Sequence, residues 1–395
     1  MSTKQKYFKS IPKWIYKGMV IHRWVLDELV GYGGFSWVFK AHDIMDESFI
    51  VALKIYKPNI VHEDPKIFYR EIEVVKKLKE KCREAAVNLR RIIDYGLYQF
   101  IDPNSGENSK TYYIVFNYLE YNLKEYVERI HAKETINVDD IINYWYKIVA
   151  VIACAHKYGV IHRDIKPTNI LFDEDGNIYV TDFNTCRIVK PSIWRDTLRK
   201  TGSIGGYYTP GWAAPEQLEG GEICEATDVY LLGRLLYYMI YGAVPDVSKP
   251  PVREYIGRKM WIKNVIYKCL ERDVEKRYSN AIELLEMIGK YIYPYINLKI
   301  NIVDSDGKPL KATINIPGVL TVKNRSKIDL KIKPGKYNII TSYRGTIDKR
   351  TINIRGGEIN REITIKMPIS LEKEKLIREI EEIQNKLQKM KFQYI

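Results

Sequence analysis

Eight residues, His162-Arg163-Asp164-Ile165-Lys166-Pro167-Thr168-Asn169, constrain this chain more than any other stretch. They set a carboxylate, a cation and an amide a few residues apart, directly before the apolar strand Ile170-Leu171-Phe172. A carboxylate at Asp164 can accept a proton from an attacking hydroxyl. Lys166 can neutralise charge on a transferring phosphoryl group. The amide oxygen of Asn169 can hold a divalent cation. Alone, the stretch is also compatible with a loop that carries one salt bridge. The elements around it decide between the two.

Upstream, Trp24 to Leu29 alternates like a strand and ends in Gly31-Tyr32-Gly33-Gly34-Phe35-Ser36-Trp37-Val38. Glycines at 31, 33 and 34 allow a sharp bend and a close approach to a phosphate. The next strand, Phe49 to Tyr56, carries one lysine, Lys54, in an apolar run. Burying it is costly unless it is paired, or it snorkels from an edge strand to water. Ile67 to Leu78 has helical periodicity with Glu71 in its middle and Glu73 nearby. Two strands, 92–101 and 112–118, are joined by a polar turn. Helical patterns follow at 123–130 and 138–158, and Gly159 suits a helix terminus.

Downstream, the turn Asp173-Glu174-Asp175-Gly176-Asn177 returns a hairpin to Asp182-Phe183-Asn184. Residues 185–211 are basic and rich in hydroxyls, and lead into Thr209-Pro210-Gly211-Trp212-Ala213-Ala214-Pro215-Glu216. Asp228 opens an apolar helix, where it could be a simple N-cap. Glu275-Lys276-Arg277 lies between two further amphipathic helices.

The pattern H-R-D-x-K-x-x-N resembles the catalytic loop of eukaryotic-type protein kinases. With the other motifs, that resemblance covers residues 24–292. It implies an α+β, bilobal fold with a β-rich N-lobe and an α-rich C-lobe over 23–293. It implies an ATP- and Mg-dependent phosphotransferase, with Mn able to substitute, acting on protein serine or threonine. In that reading Asp164, Lys166 and Asn169 are catalytic, and Asn169 and Asp182 hold the metal. Lys54, paired with Glu71, positions the phosphates that Gly31, Gly33 and Gly34 cover. Val38, Ala52, Leu171 and Phe116 enclose the base, and Asn117 to Leu119 meet its edge. Thr209 supports Asp164 and Lys166, Glu216 pairs with Arg277, and Asp228 and Phe183 are structural. Thr197, Thr201 and Ser203 are candidate phosphorylation sites whose modification would activate the enzyme. One position departs: Asn184 stands where the family has glycine. Asparagine is among the residues that best tolerate positive φ, so the turn can survive. The departure also keeps a second reading open, a nucleotide-binding pseudokinase scaffold acting through its C-terminal module.

Residues 1–22 read as a basic-aromatic extension packing on the domain that follows. Beyond 295 the pattern changes. Seven short strands between 296 and 368, separated by Gly/Pro turns, argue a small all-β sandwich. Its Pro334-Gly335-Lys336-Tyr337 and Tyr343-Arg344-Gly345 segments resemble PEGA or carboxypeptidase-regulatory domains. The net charge of +14 is concentrated here, with 21 Lys+Arg against 11 Asp+Glu from 296 to 395. That excess suits an acidic partner, but a solvated sandwich face explains it as well. Residues 369–395 form a terminal helix with Ile369, Leu376, Ile383 and Met390 at seven-residue spacing and Ile380 and Leu387 between. Docking on the same chain and homodimerisation both fit that seam. No apolar run reaches the ~20 residues of a membrane span. No secretion signal opens the chain, and five scattered cysteines suit reduced thiols, so a cytoplasmic setting is expected.

Overall fold

The computed structural model describes residues 11–82, 85–103, 105–189, 208–245, 260–292, 295–354 and 360–372, with 374–376, 379–380 and 382–383. Thr197, Thr201 and Ser203, as well as Leu387 and Met390 of the terminal seam, lie outside the described residues. The chain divides into two compact units, residues 1–285 and 286–395.

The first unit begins with a six-stranded antiparallel sheet of order β1-β2-β3-β4-β6-β5. The strands are β1 (Val20–Ile21), β2 (Trp24–Tyr32), β3 (Ser36–Asp43), β4 (Asp46–Tyr56), β5 (Ile92–Ile101) and β6 (Asn108–Asn117). From Val51 to Tyr56 every residue of β4 is buried, Lys54 included. One face of the sheet buries Trp24, Leu26, Phe39 and Leu53. The N-terminal extension packs into that core, with Trp14 stacked 3.8 Å from Phe100. The second core, on Tyr56, Ile114 and Phe116, receives Ile67, Phe68 and Ile72 from helix α2 (Lys66–Lys81), which follows the short helix α1 (Pro58–Glu63). These apolar positions recur at helical spacing, so burying them turns Glu71 inward on the same face.

Helices α3 (Leu123–Ala132), α4 (Val138–Lys157), α5 (Pro215–Glu219), α6 (Glu225–Tyr241) and α7 (Met260–Cys269) build the remainder, followed by α8 (Ala281–Ile292). Helix α3 starts in a capping box, with the Asn122 side chain on the Glu125 amide and Glu125 returned to the Asn122 amide. Helices α4 and α6 pack closely, and Trp145 Nε1 donates to the Leu232 carbonyl at 2.9 Å. Gly233 permits that packing on its other side, because a Cβ there would lie 2.4 Å from Cys269 Cβ.

The expectation of reduced thiols is corrected at one pair. Cys82 ends helix α2, Cys154 lies in α4, and the two form a disulfide with Cα atoms 5.9 Å apart. Seventy-two residues separate them, so only the packing of the two helices brings them together. Cys186 and Cys269 remain free and buried, and burial pushes the Cys186 thiol up to about 12. Cys186 therefore behaves as an inert apolar filler.

The second unit is a sandwich of a three-stranded sheet, β15-β12-β18, and a four-stranded sheet, β14-β13-β16-β17. Its strands are β12 (Ile296–Val303), β13 (Ala312–Ile316), β14 (Leu320–Arg325), β15 (Lys327–Ile332), β16 (Gly335–Tyr343), β17 (Thr346–Ile354) and β18 (Asn360–Lys366). Period-two alternation buries Ile296, Leu298, Ile300 and Ile302 of β12 and leaves Asn297 and Lys299 outside. Part of the basic excess is neutralised within the unit by Lys299–Glu362, Lys327–Asp329 and Arg350–Asp348. After Ser370 the chain turns helical. Glu374 is held by Arg344 and Tyr343, whereas Leu376, Ile380 and Ile383 are each more than half exposed.

Candidate active site

Strand β8 (Val160–Ile161) delivers the eight-residue stretch, and strand β9 (Ile170–Phe172) leaves it. Asp228, fully buried at the start of α6, fixes the loop between them. Its carboxylate accepts the backbone N–H of His162 at 2.7 Å and of Arg163 at 2.8 Å, and contacts His156 Nε2 at 2.9 Å. A simple helix cap would not reach across 66 residues in this way. The anchoring carries a conformational cost at Arg163, whose φ is +72°.

On that anchored loop three side chains converge. Lys166 Nζ lies 2.6 Å from Asp164 Oδ2 and 2.6 Å from Thr209 Oγ1. The Thr209 hydroxyl donates to Asp164 Oδ1 at 2.7 Å. Asn169 Nδ2 donates to the Asp164 carbonyl at 2.8 Å and to Oδ2 at 3.1 Å. This leaves the Asn169 amide oxygen without a hydrogen bond among the described residues. Asp164 is thus oriented from both carboxylate oxygens.

Strand β10 (Ile178–Val180) pairs with β9 and returns the chain to Asp182. Asp182 takes φ +70°, so the left-handed residue of this turn is the aspartate. Asn184 does not use the positive φ that the sequence reading reserved for it. It is buried, and its carbonyl accepts from Arg70 at 3.4 Å. Phe183 is fully buried against the His162 ring, 4.6 Å away.

Lys54 joins the two halves of the site. Its Nζ lies 2.6 Å from Glu71 and 2.7 Å from Asp182. Burial disfavours the Lys54 ammonium, but Asp182 and Glu71 outweigh it and hold its pKa above the ordinary value. Burial likewise opposes the Asp182 carboxylate, and Lys54 reverses the balance, holding it below the usual range. Tyr56, which the sequence reading passed over, adds a third group by donating its hydroxyl to Glu71. Glu73 lies off this pair.

Beside Lys54, Ala52 pairs with Phe116 and Val38 with Lys54 across the sheet. Gly31 lies against Val38, where a Cβ would come within 3.2 Å. At Gly33 and Gly34 a Cβ would meet nothing within 4 Å, so the turn borders open space. Leu119 is buried and Leu171 half-buried. Arg90, which also escaped the sequence reading, donates Nε and Nη2 to the Asn117 carbonyl at 3.3 and 3.1 Å. In the sequence it looks like any charge before a strand, and nothing in its neighbours marks it. Farther away, Arg277 meets both oxygens of Glu216 at 2.8 and 2.9 Å.

This grouping of two oxygen donors, an oriented carboxylate and a paired lysine suits the positioning of phosphates. The protein kinase domain family matches residues 24–288. A probable serine/threonine-protein kinase of Clostridium acetobutylicum is 30% identical over 291 residues, covering 70% of this chain and 41% of that protein. The serine/threonine-protein kinase PrkC of Bacillus subtilis is 30% identical over 286 residues, covering 66% and 39%. PknB of Mycobacterium leprae, also a serine/threonine-protein kinase, is 26% identical over 283 residues, covering 66% and 42%. The chain spans about two fifths of the length of these relatives.

Proposed function

The chain belongs to the protein kinase domain family, and we propose that it transfers the γ-phosphoryl group of ATP to serine or threonine of a protein substrate. The observation that carries this reading is the Asp164–Lys166–Thr209–Asn169 cluster. Asp164, with both oxygens already oriented, accepts the proton of the attacking hydroxyl. Lys166 stabilises the phosphoryl group as charge develops on it. Lys54, held by Glu71, positions the α- and β-phosphates beneath the turn at Gly31, Gly33 and Gly34. The base lies before Phe116, between Val38, Ala52 and Leu171, with its edge toward Asn117 to Leu119.

A divalent ion, Mg with Mn as substitute, fits the donors present. Asn169 offers a hard oxygen with no other partner among the described residues, and Asp182 offers a carboxylate. Two protein oxygens are what a magnesium shared with phosphates needs. When bound, it neutralises charge on the phosphates.

Retention of Lys54 with Asp182 and of Asp164 with Asn169, each pair in contact, favours turnover over a scaffold that only binds nucleotide. Phosphorylation at Thr197, Thr201 or Ser203 would regulate it. Mass spectrometry after incubation with ATP tests this, and modification confined to residues outside 185–209 contradicts it. The exposed Leu376, Ile380 and Ile383 favour pairing of the terminal helix with a second copy over docking on its own chain. The basic β-unit would recruit an acidic partner. Incubation of the full chain with labelled ATP-Mg and a generic basic protein tests transfer itself. Labelled serine or threonine in the acceptor is expected, and no labelling of any protein contradicts the reading.

A further inference from the structure

Arg90 is a charged side chain that is only 8% exposed and has one acceptor. Nε and Nη2 both donate to the Asn117 carbonyl, and the guanidinium carbon lies 4.8 Å over the Phe116 ring. Burial pushes its pKa down to about 10, so it remains a cation at neutral pH. Among the described residues no carboxylate contacts it, and Nη1 has no hydrogen bond. A guanidinium has five N–H donors in a fixed fork, and a buried cation is costly unless acceptors meet it. The guanidinium therefore stands beside the Asn117 carbonyl, at the place assigned above to the edge of the base, with N–H groups that the carbonyl does not use.

We propose that Arg90 extends the nucleotide range of this site to 6-oxo purine nucleoside triphosphates, those of hypoxanthine and guanine. The inference rests on the placement of the base at Phe116 to Leu119. A 6-oxo purine presents an acceptor, O6, next to a donor, N1–H. A guanidinium N–H not used on the Asn117 carbonyl is the donor that O6 needs. A 6-amino purine presents an amino donor instead. The carbonyl it would use already receives two guanidinium N–H groups, so its amino group meets donors. Discrimination of this kind arises when a site's buried polar groups lose or gain a partner. Without Arg90, the Asn117 carbonyl would be open to an amino donor, and the preference would revert to the 6-amino base.

ATP and ITP have the same sugar and phosphates and differ at the C6–N1 edge of the base, so the pair isolates this contact. Phosphotransfer to a basic protein gives kcat/KM for each nucleotide with wild type, Arg90→Leu and Arg90→Gln. Calorimetry with each nucleotide alone gives affinity without turnover. Wild type is expected to use ITP within about threefold of ATP, and Arg90→Leu to lower the ITP:ATP ratio by about tenfold or more. Arg90→Gln, which keeps a neutral donor, should fall between them, and it carries the test if the leucine variant does not fold. A ratio unchanged by either substitution overturns the inference while the kinase reading stands. So does a wild-type preference for ATP beyond about thirtyfold. If wild type transfers from neither nucleotide, the proposed function fails, and the calorimetric ratio decides the role of Arg90. Binding of neither nucleotide overturns both.

Discussion

The Tyr56 hydroxyl donates to the same Glu71 oxygen that Lys54 holds at 2.6 Å. One carboxylate on helix α2 is thereby tied to strand β4 twice, once by a cation and once by a neutral donor. The second tie does not depend on what Lys54 does when phosphates arrive. Tyr56 is fully buried, and its ring packs edge-on against Phe68 of the same helix.

Tyr56→Phe keeps the ring and removes only the donor. Loss of a hydrogen bond to a charged group should destabilise the first unit by about 2 kcal/mol. The shift in urea midpoint, with its slope unchanged, measures it. Amide exchange along 66–81 should accelerate most, because the lost bond joins that helix to the sheet.

The Glu216–Arg277 pair gives a pH dependence of stability. Burial alone would raise the Glu216 pKa, but the Arg277 bonds more than offset it and hold it below the ordinary 4.5. A depressed carboxylate contributes stability that is present above its unfolded value and is lost as pH falls through its folded value. Thermal stability should therefore drop below about pH 4.5 by this term. Glu216→Gln should remove that part of the acid sensitivity while costing about 3 kcal/mol at neutral pH, since Arg277 is left buried without its counter-ion. Melting curves from pH 3 to 7 for both proteins check the sign.

The disulfide gives a third expectation. Thiol titration of the unfolded, unreduced chain should find Cys186, Cys224 and Cys269 only, and reduction should add Cys82 and Cys154. By the chain-entropy estimate, closing a loop of this length contributes about 4 kcal/mol. Cys82→Ala with Cys154→Ala should therefore lower the melting temperature, and reductant should then have no further effect.

Motifs in which chemistry fixes the spacing were legible before any coordinates. Asp164, Lys166 and Asn169 share one loop, so their meeting needed only local geometry. Glu71 was legible through the family resemblance, and the apolar period of its helix turns it inward in the fold. Short strands set off by Gly/Pro turns likewise marked the seven strands of the sandwich. What escaped depends on contacts between elements distant in the chain. Tyr56 looks like one more apolar strand residue, and its hydroxyl acquires meaning only when α2 packs against β4. Arg90 precedes a strand and carries no periodic signal. Cys82 and Cys154 sit on two helices whose crossing no pattern in either encodes. The Asp182 turn misled for another reason. Glycine is expected at position 184, yet the backbone here takes its positive φ two residues earlier.

Asp164 carries the central claim. The most direct measurement compares kcat for phosphotransfer to a basic protein between the wild-type chain and Asp164→Asn, at saturating nucleotide and Mg. The substitution keeps the shape of the residue and removes its capacity to accept a proton. A loss of about 10²- to 10⁴-fold, with nucleotide affinity retained, is the predicted result. Equal rates from the two proteins would contradict the account.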